Sequence, residues 1–416
     1  DIQMHRMSYF VTAVLMIVAT TARSGERQRR EADLNGEVAE ALLPQHLADD
    51  VYVLCTSHRF GSATVGWIAF ESESILVDCP HPGFLAKMLD KIESTTGKPL
   101  KRVILTHSRQ SQLDAAQELL KRGVRVYAEG QTAARLRQAL ANDDVSAEVI
   151  QEIDRPIGIR CDDVSIELHP LGYASGPGNL AVLVPHRKIL FAGEVCSNGP
   201  RNDLSRGHNK CWIEALGLLE QLSAETVVPG FGGVGGPELL RRQKDLLVEL
   251  RRRVSYLITQ SKPRDFVVDR LKLHSGVPVS PILSLWFPYG TPRVPDIEHL
   301  YDELTVPVSP YKNHPFDDED GRPRALALIG DRVHDPAHIE EYLGRAFSDA
   351  GVAVRFAFDV RALSAENLQN VNVFCILRDG THWPTADKSA MWMTRDQEEA
   401  LVGFVKNGGA LLGLHN

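Results

Sequence analysis

The chain reads as an α/β protein of two domains, because apolar runs of strand length lead into helix-period patterns at two separate places along it. At the first, Arg102-Val-Ile-Leu-Thr-His107 is a buried strand entering a loop, and a helical pattern follows from Ser111 to Leu120. At the second, Ala325-Leu-Ala-Leu-Ile-Gly330 opens an alternation of strands and helices that runs to the last residues. A length of 416 residues with 43% hydrophobic residues supplies apolar material for two cores.

The N-terminus has the layout of a targeting segment. Met4-His-Arg6-Met7 is short and basic, Phe10 to Ala19 is apolar, and Thr20-Thr-Ala22 offers small residues ahead of the charged stretch Arg23 to Arg30. Residues 1–22 are therefore expected to be a secretory signal peptide. The apolar stretch falls short of the ~20 residues that span a bilayer. A secreted or periplasmic mature chain with no stable membrane span after cleavage is the expectation, with a membrane anchor retained at this segment as the alternative.

The first domain, residues 50–255, carries a series of strand-and-turn segments. In order they are Ile75-Leu-Val-Asp78-Cys-Pro, Thr106-His107-Ser108-Arg109-Gln110-Ser111-Gln112, Leu171-Gly172, Ser175-Gly-Pro-Gly-Asn179-Leu, Ala181-Val-Leu-Val-Pro185, Ile189-Leu-Phe-Ala-Gly193-Glu194, Trp212 to Leu222 and Thr226-Val-Val-Pro-Gly230-Phe231-Gly. The series resembles the landmarks of the metallo-β-lactamase superfamily, whose strand-loop-helix junction reads Thr-His-x-His-x-Asp-His. The resemblance implies an αββα sandwich with a zinc site at one sheet end.

Carried over residue by residue, that site has lost most of its donors. His107 keeps its imidazole, and Glu194 stands where the bridging Asp would be. Arg109 brings a permanent cation, Ser111, Gln112 and Ser175 replace ligating side chains, and Phe231 has no lone pair. No metal and no cofactor are expected. His58, His81, His169 and Cys79 would be the donors of a rebuilt site, but irregular spacing reads more simply as surface or turn residues. Two uses of the vacated corner remain open. Ser111 with Asp114 fits an N-cap and an acidic N3 residue, which with Arg109 and His107 would hold a carboxylate, sulfate or phosphate. Alternatively, Arg109 pairs internally with Glu194.

A net charge of -8 without a basic cluster interleaved with aromatics argues against a nucleic-acid partner. Arg241-Arg242 and Arg251-Arg-Arg253 read as solvated helix faces. Cys55, Cys79, Cys161, Cys196, Cys211 and Cys375 show no CxxC spacing and read as free thiols.

Residues 256–322 form a Pro-rich connecting segment, expected to break every helix except a short one near Ile297 to Leu304 and to end at the acidic run Asp317-Asp-Glu-Asp320. Beyond it, Pro336 to Ala350 and Thr394 to Lys406 read as helices. Val352 to Phe358, Val371 to Leu377 and Gly409-Ala-Leu-Leu-Gly-Leu-His415 read as strands of a doubly wound parallel sheet.

His334-Asp-Pro, Glu341-Tyr-Leu-Gly, Asp396-Gln-Glu-Glu-Ala-Leu and Phe404-Val-Lys-Asn-Gly-Gly-Ala-Leu-Leu-Gly-Leu-His415 together resemble the start of a ThuA-like, trehalose-utilisation domain. That family has the class I glutamine amidotransferase architecture. The resemblance implies that residues 323–416 are a truncated ThuA-like domain, and the Asp-Ile-Gln start before the first Met suits a fragment of a longer reading frame. Ligands of open α/β sheets bind at the carboxyl ends of strands, which nominates Asp331, Asp379 and His415. Cys375, inside a strand, is not placed as an amidotransferase nucleophile.

Three functions follow as expectations. One is a non-catalytic, exported two-domain protein binding a small anionic or sugar-derived ligand. The others are a metal-dependent hydrolase with a rebuilt site and a sugar-modifying enzyme acting through the ThuA-like half.

Overall fold

Alternate residues of the central strands face opposite ways, and that period of two sorts the apolar side chains into layers. The structure is a computed structural model that describes residues 44–55, 63–141, 149–162, 164–198, 203–272, 293–305, 321–331, 334, 336–379 and 391–414. The signal-peptide assignment, His58, Asp335 and His415 lie outside the described residues.

A seven-stranded sheet has the order β1 (Gln45–Ala48), β2 (Val51–Cys55), β3 (Thr64–Ala69), β4 (Ser74–Val77), β5 (Leu100–Leu105), β6 (Arg125–Glu129) and β7 (Ile150–Ile153). Its first four strands pair antiparallel and its last four parallel. A five-stranded sheet has the order β12 (Thr226–Gly232), β11 (Ile189–Asn198), β10 (Asn179–Val184), β9 (Val164–Gly172) and β8 (Ile157–Cys161), antiparallel except for the parallel β11–β12 pair.

Ile75 and Val77 pack with Ile104, Leu168, Leu180, Val182 and Val184 between the two sheets. Leu76, Val103 and Leu105 point the other way, onto α1 (Leu85–Thr96), α2 (Gln110–Lys121) and α3 (Gly130–Ala139). Ala181 and Leu183 likewise face α4 (Asn209–Glu220) and α5 (Glu238–Thr259), where Trp212 and Leu216 are buried. Three stacked apolar layers make this an αββα sandwich. Each fully buried Val, Leu or Ile contributes about 2 kcal/mol relative to exposure, so a one-residue register slip would lose a whole layer.

A third sheet, all parallel, has the order β14 (Ala353–Ala357), β13 (Arg324–Ile329), β15 (Val373–Leu377) and β16 (Ala410–Gly413). Ala325, Ala327 and Ile329 join the layer that contains Leu250, Val254 and Ile258 of α5, so the two domains share a core. Phe347 of α8 (Pro336–Asp349) lies in that same layer. Leu326, Leu328 and Phe374 face the opposite side, toward Phe404 of α9 (Arg395–Lys406). Helices on both faces make the sheet doubly wound.

The connecting region departs from the sequence expectation. α5 continues to Thr259, α6 forms over Arg264–Leu271, and α7 spans Val294–Thr305. Pro263 stops neither helix, because it sits at the N-cap of α6, where its missing N–H costs nothing. Val267, Ile297, Leu300 and Leu304 then join the inter-domain core.

Candidate functional site

The corner begins where β4 and β5 end. Asp78 follows β4 with φ 62°, an αL geometry that Asp tolerates. Its carboxylate accepts from Thr106 N at 2.8 Å and Thr106 Oγ1 at 2.6 Å, which fixes the start of the loop. Burial raises the Asp78 pKa to about 6 against the opposing effect of those two bonds. Thr106 O accepts from Leu180 N at 2.9 Å, joining the two sheets. Gly193 approaches the same residue so closely that a Cβ would lie 2.3 Å from Thr106 Oγ1, and its φ is +60°; glycine is required there.

The nominated positions converge, but their side chains have other employment. Gln112 is buried, accepts from Cys79 N at 2.7 Å and donates to Cys79 O at 3.0 Å, so its amide staples two loops together. Ser175 Oγ accepts from Asn179 Nδ2 at 3.1 Å inside the Gly-Pro-Gly turn. Arg135 donates to Ser108 O at 2.8 Å, and Ser108 Oγ donates to Pro177 O at 2.8 Å. The expected N-cap at Ser111 is corrected: α2 starts at Gln110, Arg109 is its cap residue, and no side chain caps it. Arg109 is extended at the helix entry while Gln112 N and Leu113 N donate to its carbonyl, so Ser111 falls inside the first turn.

Glu194, from the middle of β11, is the centre of the corner, with a side chain only 4% exposed. The Arg109 guanidinium pairs with it directly and lies over the Phe231 ring at 5.2 Å. His107 Nε2 stands 3.8 Å from Glu194 Oε1. Burial, then the charges of Arg109 and Arg206, hold the His107 pKa at about 3, so the ring is neutral at physiological pH.

Sequence reasoning missed the outer ring. Asp203 lies 3.9 Å from Arg109 Nη2, Arg293 Nη2 donates to Asp203 Oδ1 at 2.5 Å and to Asp296 Oδ1 at 2.9 Å, and Arg206 adds a further cation. Arg293 and Asp296 come from the Pro-rich segment, and no local motif marks them.

Zinc does not fit this corner. A dication would share it with a guanidinium already bonded to Glu194, the second buried carboxylate, Asp78, is taken up by Thr106, and Phe231 offers no donor. Of the other donors considered for a rebuilt site, His81 Nδ1 accepts from Gly83 N at 3.2 Å, His169 Nε2 lies 3.1 Å from Glu167 Oε2, and Cys79 is a buried neutral thiol. Among the described residues, no three His, Cys, Asp or Glu side chains gather as a metal-donor set.

A second cluster lies at the carboxyl ends of β13 and β15. Asp331 accepts from His334 N at 2.9 Å, from Asp379 N at 2.6 Å, and holds His334 Nδ1 at 2.6 Å. Arg378 stacks on Trp392 at 5.2 Å, and Trp392 Nε1 donates to Asp379 O at 3.1 Å. Chain order reverses between these two strands, so the cluster sits at the topological switch point. Cys375 is buried within β15, and all six cysteines are free thiols.

No model of a known protein family matches the chain. Among solved structures it is similar to a metallo-beta-lactamase from Pontibacter korlensis, with 20% identity over 49% of this chain and 98% of that one and a TM-score of 0.43. It is similar to the metallo-beta-lactamase FIM-1 from Pseudomonas aeruginosa in its mono-zinc form, with 17% identity over 50% of this chain and 95% of that one and a TM-score of 0.44. For VMB-1 the identity is 20%, over 50% and 96%, with a TM-score of 0.44. The αββα layering stands on the strand order and the three apolar layers themselves. No helix among the described residues is long and apolar enough to cross a membrane.

Proposed function

We propose that residues 50–255 are a metallo-β-lactamase-like module whose zinc centre has been exchanged for a structural ion pair. Joined to a ThuA-like module at residues 323–416, it serves an exported binding or scaffold protein. The observation that carries this reading is the Arg109–Glu194 pair, with its carboxylate buried and its guanidinium over the Phe231 ring, at the corner where the resemblance implies metal. Export rests on the basic, apolar and small-residue order of residues 1–22.

The test is metal content after chelation and zinc reloading of the purified chain. Less than about 0.1 zinc per chain is expected, since affinity needs a deprotonated donor set. Near-stoichiometric zinc that is lost in His107→Ala sinks the reading in favour of a hydrolase.

The Asp331–His334–Asp379 cluster favours a second reading, a sugar-modifying activity in the ThuA-like half. Turnover of a glycoside abolished by Asp331→Asn but untouched by Glu194→Gln would establish it.

A further inference from the structure

A large cavity belongs to neither of these sites. It has a volume of about 1180 Å³ and lies between α4 and α5 of the sandwich and α8 and β14 of the second domain, at the amino ends of the parallel strands. That is above the ~300–1,000 Å³ of small-molecule sites, and domain interfaces are where such sites concentrate.

Its shape follows an exposed backbone. Among the described residues β14 is an edge strand, paired only with β13. Ala353 N donates to Pro323 O, toward β13. Because a parallel ladder alternates, the N–H and C=O groups of Val354 and Phe356 face away from β13, along the cavity. The cavity also reaches both faces of this strand. On one face it is lined by Lys210 and Arg252, and Lys210 Nζ lies 5.3 Å from the Phe356 ring centroid. The other face is lined by Arg324 and Arg355, which belong with Leu326 because Arg324 is opposite Ala353 and Leu326 opposite Arg355.

The lining is basic in a chain of net charge -8: seven Lys or Arg side chains against four Glu. Glu340 is already engaged, by Arg251 at 2.9 Å and Lys210 at 3.6 Å, and Glu341 by Arg345 at 2.7 Å; Lys244 and Arg252 pair in turn with Glu220 and Glu249, which do not line the cavity, so the lining itself keeps its excess of cations. An occupant that alternates side chains to two faces is a β-strand, and one that meets cations on both faces is acidic.

We propose that β14 is a docking edge for an extended acidic peptide of a partner protein, which adds to the parallel sheet as a further strand. Main-chain bonds to Val354 and Phe356 supply affinity, and the bases on the two faces select carboxylate side chains. Open edges are hazards unless covered or guarded by charge, and here cations line both faces. This inference is independent of the metal question at the Arg109 corner.

The experiment uses the full chain and a fluorescein-labelled peptide of alternating Glu and Val, read by fluorescence anisotropy. Saturable binding is expected, weakening as salt is added because its electrostatic part is screened. A Lys-for-Glu peptide and a peptide N-methylated at alternate residues should each bind at least about tenfold more weakly. Arg324→Glu with Arg355→Glu should produce a similar loss. Val354→Pro removes an outward N–H while leaving the ladder to β13 intact, so it should abolish binding, whereas Val354→Ala, which loses the same packing against the inter-domain core but keeps the N–H, should retain it. Equal binding of the N-methylated peptide would reduce the effect to surface electrostatics and overturn strand addition. Absence of saturable binding, or indifference to both charge reversal and Val354→Pro, would overturn it as well.

Discussion

Arg251 on α5 grips Glu340 on α8 with two donors, Nε at 3.2 Å and Nη2 at 2.9 Å, while its Nη1 reaches Glu303 of α7 at 3.4 Å. The Arg251 side chain is 12% exposed, so the expectation of a solvated basic face is wrong at this residue and right at Arg241 and Arg242. Burial works to raise the Glu340 pKa, but Arg251 and Lys210 outweigh it and leave it below the ordinary value. One guanidinium therefore ties the sandwich, the connecting segment and the second domain.

Arg251→Ala removes the bidentate partner of Glu340, leaving it Lys210 at 3.6 Å, and leaves Glu303 with the Asn209 N–H. A loss of about 3 kcal/mol is expected, the range for breaking a buried pair from one side. Calorimetry should show the single unfolding transition of the parent splitting into two as the domains uncouple. A single transition with an unchanged midpoint would mean that the shared apolar core alone couples them.

The Arg109–Glu194 pair gives a second test with a defined pH sign. Arg109→Leu leaves Glu194 buried and unpaired, at a cost of about 3 kcal/mol near neutral pH. Its carboxyl should then have a raised folded-state pKa, so the variant regains stability as pH falls and Glu194 protonates. Arg109→Leu with Glu194→Leu should recover most of the loss at pH 7. Urea unfolding at several pH values reads both effects, and a pH-independent deficit in the single variant would refute the account.

His107 and Asp78 should shape the acid limb in opposite directions. The folded His107 pKa lies near 3 against an ordinary 6.5, so its contribution is present above pH 6.5 and is lost as pH falls toward 3. Asp78 is raised to about 6 from 3.8, so its contribution is present below pH 3.8 and is lost as pH rises through 6. His107→Gln should flatten the loss of stability between pH 6.5 and 3, and Asp78→Asn should remove the opposing slope above pH 3.8. Each pKa unit corresponds to ~1.4 kcal/mol, well within reach of chemical denaturation. Unchanged slopes in both variants would show that neither group governs the limb.

The layers were legible because Ile75, Leu76 and Val77 alternate between two cores, and strand period survives in sequence without help from distant residues. The corner was legible as positions: His107, Arg109 and Ser175 follow the ends of β5 and β9, and Glu194 and Phe231 lie on the paired strands β11 and β12. Their bonding was not. Whether Gln112 faces a ligand or staples Cys79 depends on a loop 33 residues away. Arg293 and Asp296 complete the charge balance from a segment whose prolines hid its helices. Ser111 misled because a capping side chain is not needed here: the extended Arg109 carbonyl accepts from Gln112 N and Leu113 N, and the helix starts ahead of Ser111, at Gln110.

The last prediction concerns the far edge of the third sheet. β13 is fully interior, with Leu328 and Ile329 at 0% exposure and hydrogen-bonded strands on both sides. Among the described residues β16 is a parallel strand paired only with β15, its four residues are all exposed, and Leu411 and Leu412 are 48% and 37% exposed. Strands of parallel sheets are normally covered on both faces, and few buried contacts mean a low free energy of local opening. Amides of residues 410–413 should therefore exchange at least about a hundredfold faster than those of residues 325–329, a gap of ~3 kcal/mol in opening free energy. Hydrogen exchange read by mass spectrometry on peptic fragments resolves both segments. Equal protection would mean that the β16 edge is covered in solution, and its exposed leucines would then mark an interface rather than a frayed margin.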